Sequence, residues 1–174
     1  HPPILYLGYV GLSVPFAYAI AAVILNQIDK WPKLIRKWLL ISWLALGTGI
    51  FLGARWAYGV LGWGGYWGWD PVENAGLMPW LTATALMHGL SFQGKQKGFK
   101  VWNVSLAVLS FGLVLLGTFI TRSGLIESVH AFTRSELGPY FLSMILIVLM
   151  GSLILLLIYR KSFGELIYPE KVIS

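Results

Sequence analysis

The sequence predicts an all-α fold, a polytopic membrane helix bundle of about five transmembrane helices with a tryptophan-rich loop and a short interfacial helix segment on its outer face. Three observations predict it. Of the 174 residues, 57% are hydrophobic and only 11% are charged, which is the composition of a membrane protein. Five apolar runs follow one another, each long enough to span a bilayer. Basic residues gather in every second connection between those runs.

The first two spans are predicted at residues 4–25 and from Leu39 to about Tyr58. The first has 22 residues and no charge, enough for about 33 Å of helix. Its Pro15 predicts a kink, which membrane helices tolerate. The basic stretch 29–37 before the second span is predicted as a loop or a short surface helix. Within the second span, the spacing of Gly49 and Gly53 predicts close contact with another helix.

The connection at residues 59–70 has an unusual composition, with five glycines among twelve residues. Glycine disfavours helix and lets a backbone approach a flat partner closely. Its four aromatic side chains supply rigid, mostly apolar faces: Trp63, Tyr66, Trp67 and Trp69. We interpret the stretch as a shelf for a broad, flat, apolar ligand. The alternative is an interfacial aromatic belt, an interpretation that suffices for Trp31, Trp38, Trp43 and Trp102.

A helix start joins this aromatic shelf to the third predicted span, residues 71–92. Asp70 is placed as N-cap and Pro71 as the first helical residue, and Glu73 is placed to complete a capping box. His88 lies two-thirds of the way along this span, where an ionisable side chain indicates a functional site by default. The alternative for His88 is a hydrogen bond to a neighbouring helix.

The fourth and fifth spans are predicted at residues 101–121 and 139–160, after a basic loop at 93–100. The loop between them contains His130, and residues 162–174 are predicted as a surface tail. No internal repeat divides the chain. It lacks an initiator methionine and a signal-peptide pattern, so we expect a fragment or one part of a longer protein.

Charge predicts the orientation of the bundle. Ten of the thirteen basic residues lie in the connections after the first, third and fifth spans, including the tail. The positive-inside rule therefore places those connections inside and the aromatic shelf outside, together with His1 and His130. Arg55, Arg122 and Arg134 are the other three basic residues. Because these loops account for the net charge of +6, we expect membrane lipids and no nucleic acid as partners.

The absence of cysteine excludes disulfides and thiolate metal sites. The sequence also lacks the zinc-protease H-E-x-x-H motif, the EF-hand loop and the P-loop. No nucleophile stands beside a recognisable base, so no catalytic residue is assigned.

The run W-G-G-Y-W-G-W-D-P-V-E-N-A-G-L-M-P-W-L-T-A-T-A-L-M-H-G resembles the WWD signature of the haem-handling membrane proteins of cytochrome c maturation, and among them the CcmF-type haem lyase subunits. The flanking H-P-P-I-L-Y-L-G-Y-V-G and G-T-F-I-T-R-S-G-L-I-E-S-V-H-A-F are also similar to that family, so the resemblance covers residues 1–132. It implies that residues 1–174 form a single transmembrane haem-handling (WWD) domain of a larger haem lyase.

The resemblance also implies the function: covalent attachment of haem to the C-x-x-C-H motif of apocytochrome c. The partners implied are a CcmE-like haem chaperone and other cytochrome c maturation subunits. The membrane implied is the bacterial or mitochondrial inner membrane, with the aromatic loop on the periplasmic or intermembrane-space side. A membrane b-type cytochrome that carries electrons and a haem transporter module are the alternative functions.

The site residues follow from the resemblance together with the topology. His1 and His130 are expected to ligate the iron of the haem being handled. His88 is expected to ligate an intramembrane haem b whose second ligand lies outside this chain. The remaining contacts to haem are expected from the aromatic shelf, Asp70 and two arginines that pair with propionates: Trp63, Tyr66, Trp67, Trp69, Asp70, Arg55 and Arg122. Sequence alone leaves the choice among Arg55, Arg122 and Arg134 open.

Overall fold

The computed structural model describes residues 1–62, 65–96, 99–124, 128 and 137–163, apart from the side chains of 94–96, 161 and 162. Trp63, His130 and Arg134 lie outside the described residues. Within them the fold is all-helical, as predicted, with six α-helices followed by a 3-10 helix: α1 (Pro2–Gly11), α2 (Ser13–Ile24), α3 (Trp31–Val60), α4 (Pro71–Gln96), α5 (Lys100–Ser123), α6 (Gly138–Ile158) and the 3-10 helix Arg160–Phe163.

The first predicted span is divided into α1 and α2 at Leu12. Pro15 accounts for the break, because it has no backbone N–H to donate to the carbonyl of Gly11 and its ring crowds that carbonyl. At the break, the Leu12 N–H is shared between the carbonyls of Gly8 and Tyr9, at 3.2 and 3.3 Å. The predicted disturbance at Pro15 is therefore confirmed, and its effect reaches one turn towards the start of the chain.

Helix α3 corrects the prediction for the basic stretch 29–37. Residues 31–37 are the first two turns of one 30-residue helix, rather than a loop or a separate surface helix. The reason is a buried stripe, Trp31, Ile35 and Leu39, at helical spacing. Pro32 suits the first turn, where its missing N–H costs no helical hydrogen bond.

The helices α1 and α3 pack closely through Gly49, as its spacing from Gly53 predicted. A Cβ atom at Gly49 would lie 2.6 Å from the Leu5 Cα and 2.8 Å from the Leu5 nitrogen. Both are backbone atoms and cannot turn aside. The absence of a side chain at Gly49 is therefore what allows the two backbones to approach each other.

Polar contacts join the α2–α3 connection to the end of α4 and the start of α5 at one end of the bundle, which we call the basic end. The Gln93 amide donates to the Ile28 carbonyl at 2.9 Å and accepts from the Asn103 amide at 2.7 Å. Lys100 forms an ion pair with Asp29 at 2.9 Å. The prediction of a loop over 93–100 was wrong here, because buried Gln93 continues α4 and α5 already begins at Lys100.

Four stretches among the described residues are long and apolar enough to cross a membrane: Pro2–Ile24, Trp31–Val60, Lys100–Ser123 and Gly138–Ile158. Helix α6 is the most apolar of them and the least buried. Helix α4, with 26 residues, is within the length range of these four stretches but carries polar residues, including Glu73, Thr82, Thr84 and His88. The chain is thus an integral membrane helix bundle, and membrane crossing by α4 stays a prediction.

Candidate functional site

The aromatic shelf is anchored to the first turn of α4 by a capping box, as the sequence predicted. The Val72 N–H donates to Asp70 Oδ2 at 3.0 Å, and the Asp70 N–H donates to Glu73 Oε2 at 3.3 Å. Glu73 Oε2 also accepts from the Gly68 N–H at 3.0 Å. One carboxylate therefore fixes both the helix start and the end of the shelf.

Asp70 also reaches a third segment of the chain. Its Oδ2 accepts a hydrogen bond from the Ser128 hydroxyl at 2.6 Å. Ser128 belongs to the connection between α5 and α6, so this bond joins the connection that contains His130 to the head of α4. Asp70 thus shapes the site through its hydrogen bonds.

A cavity of about 990 Å³ lies beside the shelf, between α1, α3, α4 and α5. His1, Trp67, Glu73 and Arg122 line it at this end of the bundle, which we call the cavity end. Deeper in the bundle the wall is mostly apolar, with Tyr9, Ser13 and Thr118 among the polar exceptions. The volume falls at the upper end of the range for cofactor sites.

His1 is held at the mouth of this cavity by α3. Its ring lies 5.9 Å from that of Trp56, inclined at 39°. A Cβ at Gly53 would come within 3.4 Å of the His1 Nε2, so the glycine leaves room for the imidazole. The second glycine of the pair therefore accommodates a predicted iron ligand.

A second cavity of about 610 Å³ lies between α3, α4 and the shelf. Arg55, Tyr66 and Trp69 line this one, together with Trp80, while Trp67 lines both. The two arginines predicted to pair with propionates therefore face different cavities, and Arg122 is the one that shares a cavity with His1.

The shelf side chains differ in their exposure and in the rings they contact. Trp69 is 72% exposed and meets Trp67 edge to face at 6.3 Å, whereas Tyr66 stacks on Tyr58 of α3 at 4.4 Å. Trp67 is half-buried, and its indole N–H is buried with no hydrogen-bond partner among the described residues. A buried N–H donor without a hydrogen-bond partner costs free energy. Because Trp67 lies between the two cavities, a ligand with an acceptor atom or an aromatic face could supply that partner.

His88 lies on an exposed part of α4, away from the large cavity. Its Nδ1 is 2.8 Å from the Thr84 carbonyl oxygen, an acceptor, so Nδ1 carries the proton and donates. Nε2 then keeps its lone pair and points away from that bond, the arrangement found in metal-ligating histidines. The predicted alternative, a hydrogen bond to a neighbouring helix, was wrong, because His88 bonds within its own helix. Its role as an iron ligand stays a prediction.

Two cavity residues escaped the sequence analysis. Tyr9 presents its hydroxyl to the α5 backbone, where a Cβ at Gly117 would lie 2.9 Å from that oxygen. Trp56 packs against His1. Tyr9 carried a weak signal as a phenol within an apolar span, while Trp56 carried none because it resembles any interfacial tryptophan.

A family model described as cytochrome C assembly protein matches residues 1–127. The chain belongs to this family. The cytochrome c-type biogenesis protein CcmF of Pseudomonas aeruginosa is 54% identical over 157 residues, and the protein of the same name from Escherichia coli is 50% identical over 157 residues. Both alignments cover 89% of this chain and 24% of the relative.

A solved structure described as the cytochrome c haem lyase CcmF matches with a TM-score of 0.76 at 44% identity. The match covers 90% of this chain and 25% of that structure. The chain therefore spans about a quarter of the length of the relatives it matches. The family membership expected from the WWD resemblance is confirmed, as is the helical membrane fold.

Proposed function

We propose that this chain is the haem-handling part of a cytochrome c haem lyase, which attaches haem covalently to apocytochrome c. The observation that carries the proposal is the 990 Å³ cavity, in which His1, Trp67 and Arg122 meet beside the aromatic shelf. An imidazole, an indole and a guanidinium are suited to the iron, the ring face and a propionate of one haem. Haem is the cargo of this cavity.

The fit between the cavity and haem rests on three features. The deep wall is mostly apolar, which suits the porphyrin faces. Gly53 leaves the His1 imidazole unobstructed at the mouth, and neutral imidazole is a common haem ligand. The buried indole N–H of Trp67 needs a partner that the described residues do not supply. A bound haem offers a π face or a propionate oxygen there.

His130 completes this site in our proposal, as the second iron ligand, and Trp63 and Trp69 cover the ring. Two imidazole nitrogens that share one iron must lie about 4 Å apart. The bond from Ser128 to Asp70 supports this pairing, because it holds the neighbouring connection at the cavity end. The ligands must also be exchangeable, since the finished cytochrome supplies a histidine of its own.

The bonds that form and break during attachment are those of haem and apocytochrome c. Each thioether bond forms when a cysteine S–H of the C-x-x-C-H motif adds across a haem vinyl double bond, and no atom leaves. The residues of this chain hold the ring at a fixed depth and orientation while the polypeptide approaches. Positioning of two reactants in this way is a major source of rate acceleration.

We further propose that His88 ligates a resident haem b within the membrane, with a second ligand from outside this chain. Its free Nε2, with Nδ1 fixed on a carbonyl, fits that role. When bound, this haem would supply electrons that keep the cargo iron reduced. The contribution of the chain would be to hold one iron ligand, the His88 imidazole, in a fixed orientation.

The partners and the membrane side complete the proposal. A CcmE-like chaperone delivers haem to the cavity end, apocytochrome c receives it there, and other cytochrome c maturation subunits assemble around the bundle. The basic connections face the cytoplasm of a bacterium or the mitochondrial matrix. The aromatic shelf then lies on the periplasmic or intermembrane-space side of the inner membrane.

Replacement of Trp67 and Trp69 by alanine tests the outer haem site. Each aromatic contact contributes about 0.5–1.5 kcal/mol beyond area burial, so we expect haem affinity to fall roughly tenfold or more. The measurement is the haem that co-purifies with the intact complex. Trp102→Ala is the matched control, because Trp102 is 56% exposed at the other end of the bundle. Equal haem retention in both variants would favour the aromatic belt instead.

A further inference from the structure

Two sets of hydrogen bonds meet at Thr84, one made by its hydroxyl and one by its main-chain carbonyl. The indole N–H of Trp43 on α3 donates to the Thr84 hydroxyl oxygen on α4 at 2.7 Å. That hydroxyl in turn donates to the Trp80 carbonyl at 2.8 Å. The Thr84 carbonyl accepts from His88 Nδ1 at 2.8 Å. Thr84 therefore has hydrogen bonds to Trp43 on α3, to the preceding turn of α4 and to the imidazole of His88 one turn later.

Ring packing also holds Trp43 and Trp80 together beside Thr84. The rings of Trp43 and Trp80 are stacked, with centroids 5.3 Å apart and planes inclined at 16°. A Cβ at Gly47 would lie 2.7 Å from the Trp80 Nε1, so this glycine leaves the space that the indole occupies. The Trp43–Trp80 stack fixes the separation of α3 and α4 immediately above Thr84.

We propose that Thr84 and Trp43 are positioning residues for His88: the hydrogen bond between their side chains fixes the place of the Thr84 carbonyl, which orients the imidazole that ligates the intramembrane haem. The inference rests on the proposed role of His88 and extends it to two residues that touch no iron. A threonine hydroxyl bonded to the carbonyl four residues earlier bends a helix locally. In α4 this bond spans the turn that leads to the Thr84 carbonyl, the partner of His88 Nδ1.

The hydrogen bond at Nδ1 would shift the midpoint potential of the haem in a predictable direction. A carbonyl that accepts the Nδ1 proton makes the imidazole a stronger electron donor to iron. A stronger donor stabilises the ferric state, so a weakened bond favours the ferrous state and raises the midpoint potential. Loss of the Thr84 hydroxyl also leaves the indole N–H of Trp43 without its partner, which loosens α4 against α3 at this level.

Thr84→Val in the complete haem lyase tests the inference. We expect the ferric–ferrous equilibrium of the intramembrane haem to shift towards ferrous by about three- to tenfold. We also expect a changed low-spin electron paramagnetic resonance spectrum. Thr84→Ser keeps the hydroxyl and should restore both readouts. Trp43→Phe keeps the stack but removes the donor, so it provides a second test if the valine variant folds poorly.

Thr82→Val is the matched control. Thr82 also lies on α4 and accepts an interhelical hydrogen bond, from the Ser110 hydroxyl on α5 at 2.8 Å, but it has no link to His88. A potential that shifts in Thr84→Val and not in Thr82→Val supports positioning. Equal shifts, or none in Thr84→Val and Trp43→Phe, would overturn it. An unaltered haem spectrum in His88→Ala would instead remove the ligand assignment itself, and this inference with it.

Discussion

Asp70 connects three parts of the site through one carboxylate. It caps α4 at the Val72 N–H and receives the Ser128 hydroxyl, while its own N–H is held by Glu73. A residue with only a capping role would bond within its own helix start. The additional bond to Ser128 shows that a local helix signal also holds a residue 58 positions away in the chain.

Asp70→Ala is expected to lower the free energy of unfolding by about 1 kcal/mol, the usual value of an N-cap. It should also release the aromatic shelf to limited proteolysis, because the Ser128 bond is lost as well. Thermal unfolding and the cleavage rate measure the two effects. Asp29→Ala is the control: this side chain is 72% exposed, and an exposed ion pair contributes little. Equal effects in both variants would contradict the anchoring role.

The two arginines give a second prediction at this scale. Arg122 shares the large cavity with His1, whereas Arg55 lines the second cavity. Arg122→Gln should therefore weaken cargo-haem binding by about tenfold, the value of one charge-assisted hydrogen bond, and Arg55→Gln should weaken it less. Haem titration of the two variants provides the comparison. The reverse order would place the cargo in the second cavity.

At the scale of the helices, the glycines decide how closely α1 approaches α3. Gly49 lies against the Leu5 backbone and Gly53 beside the His1 ring, so one face of α3 sets both the packing and the ligand position. Both glycines also line the large cavity, so the shape of the site depends on this helix contact.

Gly49→Ala should destabilise the bundle by about 1–3 kcal/mol, because the new methyl group would overlap backbone atoms of α1. Gly151→Ala provides the control, since a Cβ there meets no atom within 4 Å. Alanine at that helical position should be neutral or stabilising by up to about 1 kcal/mol. The melting temperatures of the two variants in detergent measure the difference, and similar values would show that α1 and α3 are not closely packed.

Local signals in the sequence were sufficient for some elements and insufficient for others. The capping box at Asp70 and Glu73 depends on four consecutive residues, and it was predicted correctly. The start of α3 was not, because a basic stretch also fits a loop, and only burial of Trp31 and Ile35 by other helices distinguishes the two. The end of α4 was missed for the same reason, because the hydrogen-bond partners of buried Gln93 are 65 and 10 residues away in the sequence.

At the scale of the molecule, the helices bring distant residues to two opposite ends. His1, Trp67 and Arg122 meet at the cavity end, and Asp29, Gln93 and Lys100 meet at the basic end. The charge pattern anticipated this division. It could not predict the division of the site into two cavities separated by Trp67, because that depends on how four helices pack.

Cysteine labelling tests the orientation of the bundle, since the chain has no cysteine of its own. Lys33→Cys near the basic end and Leu137→Cys at the start of α6 are both exposed positions. An impermeant maleimide added from outside should label Leu137→Cys and spare Lys33→Cys until the membrane is opened. Labelling of both from the same side would contradict the antiparallel order of the helices.

The central claim is that His1 ligates the iron of the cargo haem at the mouth of the large cavity. Its most direct test is the absorption and resonance Raman spectrum of cargo haem in the complete lyase carrying His1→Gly, with and without added imidazole. We predict loss of the low-spin signature in the variant and its return with imidazole, which occupies the space of the missing ring. A low-spin spectrum that is unchanged by His1→Gly would contradict the claim.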